Sequence, residues 1–296
     1  MSDKRGLHWF PSRLREGLGV GKTTGRLTSI GQPPAPPASG RGDIPQIISR
    51  RKLLGAGALG VGGLVLSGCD RLNSSPGFRS LLESADGLHL DSQRLLGREA
   101  LAREFAPGDM SPVFRANGNR DVADSAYRQH AASGFSGWML AVDGLVRKPL
   151  SLPLSALQAL PQRTQITRHD CVEGWSAIGK WQGPQLSRLL DMAGLLPQAR
   201  YIVFHCADRF GETPYYESID LVDAFHPQTI LAWRMNDALL PVAHGAPLRL
   251  RVERQLGYKH AKYVMRIEAR ETLAGLHGGN GGYWEDRSGY QWYAGI

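Results

Sequence analysis

Arg168-His169-Asp170-Cys171-Val172-Glu173-Gly174-Trp175-Ser176, with Trp181-Gln182-Gly183-Pro184 close behind, is the stretch of this chain densest in chemistry-bearing side chains. Its centre is Cys171. A thiolate is a soft ligand suited to thiophilic metals. One thiolate holds a bare transition metal poorly, but it can complete the shell of a metal already chelated by a cofactor. Two other readings stand beside this one. Cys171 could be a catalytic nucleophile with His169 as its base, or a buried structural cysteine, the usual fate of a free thiol.

Working outward, the chain has 296 residues and three cysteines, Cys69, Cys171 and Cys206. An odd, widely spaced set is no disulfide framework, and neither a CxxC pair nor a CxxCH haem motif occurs. The length suits one large domain or two small ones. The net charge is +8, yet residues 1–69 hold ten Lys/Arg against three Asp/Glu, leaving 25 basic and 24 acidic residues for the rest. The body is nearly neutral, so nucleic acid is not an expected partner.

The basic N-terminal segment reads as an address. Residues 1–48 form a low-complexity leader containing Gln32-Pro33-Pro34-Ala35-Pro36-Pro37, a composition expected to be disordered. Residues 49–69 carry Arg50-Arg51-Lys52 and then an uncharged, glycine-rich run from Leu53 to Gly68. That run is short for a spanning helix and fits a signal-peptide core. The paired arginines resemble a twin-arginine export signal. Leu66-Ser67-Gly68-Cys69 resembles a bacterial lipobox, with lipidation expected on Cys69. Asp70 then resembles an inner-membrane retention signal. These features imply a periplasmic protein tethered to the inner membrane through Cys69; an uncleaved membrane anchor is the alternative.

Residues 70–111 read as a polar leader with helix around Leu90 to Phe105. Residues 112–296 read as the functional domain. Within it Trp138 to Val142 is an expected strand ending in an Asp143-Gly144 turn. Pro184 to Met192 is an expected helix. Further strands are expected over Tyr201 to Cys206, Leu248 to Val252 and Tyr263 to Ala269. Ser218 to Phe225 reads as a turn entering a short helix. Asn236-Asp237 joins a hairpin between Ile230–Met235 and Leu239–Val242. Strands dominate, helices intervene irregularly, and no internal repeat or phosphate-binding glycine loop occurs. The pattern favours an α+β fold with mixed sheets.

The Cys171 segment resembles the cofactor-cysteine segment of the sulfite oxidase-like molybdopterin-dependent oxidoreductases, closest to the catalytic subunit of periplasmic methionine sulfoxide reductase systems. The likeness continues in order along residues 112–272. Phe114-Arg115-Ala116-Asn117-Gly118 resembles the family's early pterin-contact loop. Asp208 falls after a strand where the family has a polar pterin contact. His244-Gly245-Ala246-Pro247-Leu248-Arg249-Leu250 and His260-Ala261-Lys262 resemble its downstream signatures. The resemblance implies one molybdenum–molybdopterin per chain in a single sulfite oxidase-like domain. Cys171 would ligate the metal, and Arg249 and Lys262 would meet the pterin or its phosphate, where a fork and a point charge suit an anion. Glu173 would relay protons, and Trp175 would line the substrate funnel.

The departures also inform. Ala116 and Ser176 stand where sulfite-oxidising relatives have arginines, which argues against sulfite unless Arg168 or Arg209 substitutes. No cytochrome-like region is apparent, so electrons should pass to or from a separate protein, a membrane haem protein or a soluble cytochrome. The expected activity is oxygen-atom transfer, in the direction of reducing a small-molecule or protein sulfoxide, by a monomer. The rival reading is a membrane-tethered, non-catalytic binding lipoprotein with a degenerate cofactor site. Cys206 is assigned to the core. The aromatic tail from Tyr283 to Tyr293 is expected to pack over the domain.

Overall fold

A computed structural model describes residues 75–296. The expectations for residues 1–48, for the 49–69 signal and for Cys69 lie outside the described residues. The first element is helix α1, Pro76–Leu96. Ser75-Pro76 supplies its start, since proline is tolerated in a first turn whose N–H groups lack partners anyway. The helix therefore begins earlier than the expected Leu90 to Phe105 and ends before Phe105. Its last turn is fixed by Arg94, whose guanidinium meets Asp223 at 2.7 Å and Asp220 at 2.9 Å. No described helix is long and apolar enough to cross a membrane.

Helix α2 spans Ser125–Ala132 and is capped by Asp124, whose carboxylate accepts the Tyr127 N–H. Strand β1 (Met139–Gly144) follows, then β2 (Leu150–Pro153) and the short helix α3 (Leu154–Ala159). Two ten-residue strands come next, β3 (Gln162–Cys171) and β4 (Trp175–Pro184). They pair antiparallel from Gln162↔Pro184 to Cys171↔Trp175. Pro184 thus ends a strand, and helix α4 begins after it, over Leu186–Ala193. Its Leu186, Leu189, Leu190 and Ala193 are buried on one face, the i, i+3, i+4, i+7 stripe of a packed helix.

Strands β5 (Tyr201–Phe210) and β6 (Thr213–Asp220) form the next hairpin, and helix α5 (Leu221–Ala224) follows. The expected turn at Ser218 is therefore the end of a strand, though the short helix after it is present. The remaining elements are β7 (Ile230–Ala232), β8 (Arg234–Met235), β9 (Ala238–Leu239), β10 (Arg249–Arg251), β11 (Val264–Arg270) and the tail helix α6 (Tyr283–Ser288). Asn236 and Asp237 take positive φ at the β8–β9 turn, as a tight hairpin requires. The second arm is shorter than expected, because residues 242–244 form a 3-10 turn.

Among the described residues three sheets form, ordered β2-β1-β11-β5-β6, β10-β7 and β3-β4-β8-β9. In the first, β1 and β11 run parallel and the other pairs antiparallel. The α+β expectation with mixed sheets holds. The main core packs α4 on this sheet, through Trp138 just before β1, Leu140 of β1, Phe204 of β5 and Ile267 of β11. β4 crosses close to β7: a Cβ on Gly183 would lie 2.0 Å from the Leu231 carbonyl oxygen, so only glycine fits.

Candidate active site

The tip of the β3–β4 hairpin places Cys171. Its loop is Val172-Glu173-Gly174, closed by a 3.0 Å bond from the Gly174 N–H to the Cys171 carbonyl. Gly174 adopts φ +83°, the left-handed conformation that a three-residue hairpin loop demands. On the inward face of β3, Gln165, Thr167, His169 and Cys171 are all buried. This row is polar: Gln165 donates to Glu253 and His169 meets Arg251 in a buried network, and of the four only Cys171 reaches the cleft.

Cys171 opens into a cleft of about 660 Å³ including its mouth. Among the residues expected at the site, Asn117, Gly118, Cys171, Glu173, Asp208, His260 and Lys262 line it together. Burial pushes the Cys171 thiol up, and the Glu173 backbone N–H opposes this. Burial thus disfavours the free thiolate, and a bound metal cation would supply the compensating charge. Among the described residues no group of three or more His, Cys, Asp or Glu side chains forms a bare-metal site. A metal at Cys171 would take its other ligands from a chelating cofactor.

Glu173 accepts a 3.0 Å hydrogen bond from the Trp175 indole N–H. Trp175 thus stands behind Glu173, packed on Phe114 and His169 at ring separations of 6.0 and 5.5 Å, rather than on the cleft wall. Phe114 is likewise a packing residue, edge-on to Trp181 at 5.3 Å and to His244 at 5.8 Å. Arg115 is exposed, and neither it nor Ala116 lines the cleft. Ala261 is buried with its N–H and C=O both spent on backbone bonds, to Lys259 and from Leu250.

Behind Asn117 lies the strongest electrostatic feature. Arg249 is fully buried. It donates to the Asn117 side-chain carbonyl at 3.1 Å and the His244 backbone carbonyl at 3.3 Å, and its Nε has no partner. Lys262 spends its ammonium protons on the carbonyls of Asn117 (2.7 Å), Ala243 (2.9 Å) and Asn119. Among the described residues neither cation has a carboxylate within ion-pair distance. Burial and Arg249 push Lys262 down to about 7. Burial and Arg251 work against the Arg249 charge as well, but a guanidinium does not surrender its proton.

Other unsatisfied atoms adjoin them. Asp208 gives one oxygen to Asn119 at 2.9 Å and leaves the other unpartnered, and burial raises it to about 6. His244 Nδ1 and His260 Nδ1 also lack partners. Burial, with Arg249 and Lys262 adding, holds His244 down at about 4, and burial drives His260 well below its usual value. His260 Nε2 must donate to the Gln255 carbonyl, 3.0 Å away, so its free Nδ1 is an acceptor. Uncompensated buried cations with leftover donors and acceptors suit a phosphate-bearing heterocycle next to a soft metal ligand. These residues fit a molybdopterin, and the degenerate-site reading loses its ground.

Sequence reasoning missed most of the opposite wall, formed by Phe210, Tyr215, Tyr258, Trp284 and Tyr290. Only the aromatic bias of the tail signalled it. The substitute arginines proposed for sulfite do not line the cleft. Arg168 pairs with Asp170 at 2.9 Å, and Arg209 donates to the Glu212 carbonyl. Cys206 is a partly buried thiol, pushed far up by burial.

The family of oxidoreductase molybdopterin-binding domains matches residues 129–275. A protein of Azospira oryzae, provisionally named protein-methionine-sulfoxide reductase subunit YedZ1, is 38% identical over 198 residues, or 64% of this chain and 70% of that one. The protein-methionine-sulfoxide reductase catalytic subunit MsrP of Campylobacter jejuni is 33% identical over 143 residues, covering 44% of this chain and 48% of the relative. The chain therefore spans about half of that relative's length. Among solved structures, the sulfane dehydrogenase SoxCD of Paracoccus pantotrophus aligns with a TM-score of 0.44 and 21% identity, over 59% of this chain and 46% of that one.

Proposed function

Because the chain belongs to the family of molybdopterin-binding oxidoreductases it is a molybdenum-dependent oxidoreductase, and we propose that it reduces a sulfoxide-type substrate at a Cys171-ligated metal outside the cytoplasm. The observation that carries this reading is the cleft itself. It joins the Cys171 thiol, the Glu173 carboxylate and an aromatic wall, and among the described residues no arginine lines it. A sulfite dianion would find no guanidinium there and would face Glu173. A neutral sulfoxide needs neither. Two relatives whose names describe protein-methionine-sulfoxide reductase subunits support the same direction.

When bound, the cofactor supplies the two-electron redox change and the oxygen-atom transfer. The residues of the chain do the rest. Cys171 holds the metal. Arg249 and Lys262 supply the positive field for the pterin phosphate, and Asn117, Asp208, His244 and His260 offer donors and acceptors to its edges. Glu173, oriented by the Trp175 indole, is placed to pass protons into the cleft. In balance, the S=O bond breaks, two electrons and two protons enter, and a thioether and water leave. The electrons come from a separate electron-transfer protein, a membrane haem protein or a soluble cytochrome.

The same reading divides the chain into a leader (1–48), a twin-arginine-type signal ending at Cys69 (49–69), a connecting segment (70–111) and the oxidoreductase domain (112–296). It places the protein in the periplasm, lipid-tethered through Cys69. The test begins with metal and pterin analysis of purified protein, then a screen of sulfoxides against sulfite. Equimolar molybdenum and sulfoxide turnover are expected, and Cys171→Ser should lose both. Sulfite oxidation without sulfoxide reduction would overturn the substrate, and full activity in Cys171→Ser would overturn the ligand. Acyl labelling that persists in Cys69→Ala would overturn the tether.

A further inference from the structure

We propose that the C-terminal segment bearing Trp284 and Tyr290 is the substrate-selecting wall of the cleft, and that it takes the uncharged sulfur-methyl end of a peptide-borne sulfoxide. The proposal rests on the sulfoxide-reductase reading and adds where and how the substrate is chosen.

Opposite Cys171 and Glu173, the cleft is closed by aromatic rings. Phe210 and Trp284 meet edge-on at 5.3 Å, Trp284 and Tyr290 lie nearly parallel at 5.9 Å, and Tyr258 meets Tyr290 edge-on at 5.0 Å. Faces and edges are both presented, and sulfur makes favourable contacts with aromatic rings at about 5 Å. The charged side chains lining the cleft are Glu173, Asp208 and Lys262. Lys262 is spent on three carbonyls, so the reacting end of the substrate meets no free cation.

The wall is held firmly, as a selecting surface must be. Glu285, next to Trp284, is buried and bonds Lys259 at 2.7 Å, and Lys259 also bonds Glu217. Asp286 accepts the Tyr216 hydroxyl and the N–H groups of Gly278 (2.9 Å) and Asn280 (3.0 Å). Trp292 donates to the Ser218 hydroxyl at 2.8 Å. Burying the Lys259 triad commits charge to fixing a segment that carries no ligand to the cofactor.

The rim indicates the size of the substrate. Val172 is 44% exposed and Tyr290 36% exposed. Both also border a shallow depression outside the cleft, shared with Leu256, Tyr258 and Tyr293. A substrate whose methyl sulfoxide enters the cleft can lay neighbouring atoms along this depression. That geometry suits a methionine sulfoxide within a peptide better than an isolated small sulfoxide.

The test uses the holoenzyme, a short peptide containing methionine sulfoxide, and its thioether product. Trp284→Leu and Tyr290→Leu should each raise KM roughly three- to tenfold, with the loss falling mainly on KM. Trp284→Phe should restore most of the binding. The inhibition constant of the thioether peptide should rise in parallel, and that peptide should quench tryptophan fluorescence in the wild type but not in Trp284→Leu. Thermal unfolding and molybdenum content identify any variant that fails to fold. Wild-type KM and product inhibition in both folded leucine variants would overturn the proposal. A wild type that binds the thioether peptide but turns over no sulfoxide would leave the wall standing and sink the reduction; one that does neither would sink both.

Discussion

Five Lys or Arg side chains are buried among the described residues; Arg254 donates to the Arg98 backbone carbonyl, and the four nearest the cleft and its wall fall into two pairs with opposite surroundings. Arg251 lies 2.5 Å from Glu253, and Lys259 sits between Glu217 and Glu285, with all these side chains essentially inaccessible. Arg249 and Lys262 have no such carboxylate among the described residues; they are met by amide and backbone carbonyls. Arg249 and Arg251 belong to the same short strand, and both lie against Trp181, at 5.3 and 4.3 Å. Position in the fold therefore does not explain the difference. A buried charge without a counter-ion is costly. The paired cations complete the fold, and the unpaired ones are in deficit until an anion arrives.

The largest expected effect separates the two pairs by stability. Glu253→Gln leaves Arg251 buried without its carboxylate, and should destabilise the domain by about 3–5 kcal/mol. Arg249→Met removes a charge already lacking a counter-ion. Cofactor-free protein carrying it should be no less stable than wild type, while cofactor retention collapses. Urea unfolding of cofactor-free protein, with molybdenum analysis of the purified variants, reads both. Equal destabilisation by the two substitutions would erase the distinction.

A smaller effect comes from pH. In cofactor-free protein Lys262 is pushed down to about 7, whereas an unfolded lysine titrates near 10.4. Between these values the unfolded chain binds a proton that the folded chain does not, so stability rises with pH. The slope approaches about 1.4 kcal/mol per pH unit above pH 7. Asp208, raised to about 6, and His244, lowered to about 4, act below this window. Unfolding midpoints measured from pH 7 to 9 should climb in the wild type and stay flatter in Lys262→Met. With cofactor bound the climb should shrink, because a neighbouring anion favours the ammonium form. Equal slopes in wild type and Lys262→Met would show that Lys262 keeps its proton without help.

This division was only partly legible in the sequence. The ordered motifs around Asn117, Cys171, Arg249 and Lys262 pointed to a cofactor, and these residues do converge. The β3–β4 hairpin that carries Cys171 was not foreseen as strands. Its inward row, Gln165, Thr167, His169 and Cys171, alternates correctly but is polar, and strand reading depends on an apolar face. Helix α1 was placed too late because its anchor, Arg94, finds its partners more than 120 residues away. The same holds for the aromatic wall: Trp284 and Tyr290 announce burial, but nothing local shows that they border a cleft formed by Cys171 and Asp208. Which cations are paired is equally long-range, since Lys259 and Lys262 are three residues apart and identical in type.

The smallest expected effect tests the deficit directly. If Arg249 and Lys262 lack a counter-ion, cofactor-free protein should gain stability from inorganic phosphate, a minimal stand-in for the pterin phosphate. Binding to the folded state alone adds RT ln(1 + [L]/Kd), about 1.4 kcal/mol at ten times the dissociation constant. The gain should vanish in Arg249→Met and survive in a surface control such as Arg209→Met, since Arg209 is exposed and already engaged by the Glu212 carbonyl. Chloride at matched ionic strength separates specific binding from screening. An equal gain from chloride, or one that persists in Arg249→Met, would place the anion elsewhere. Arg249 would then be a structural arginine that tolerates its deficit through Asn117, His244 and Trp181 alone.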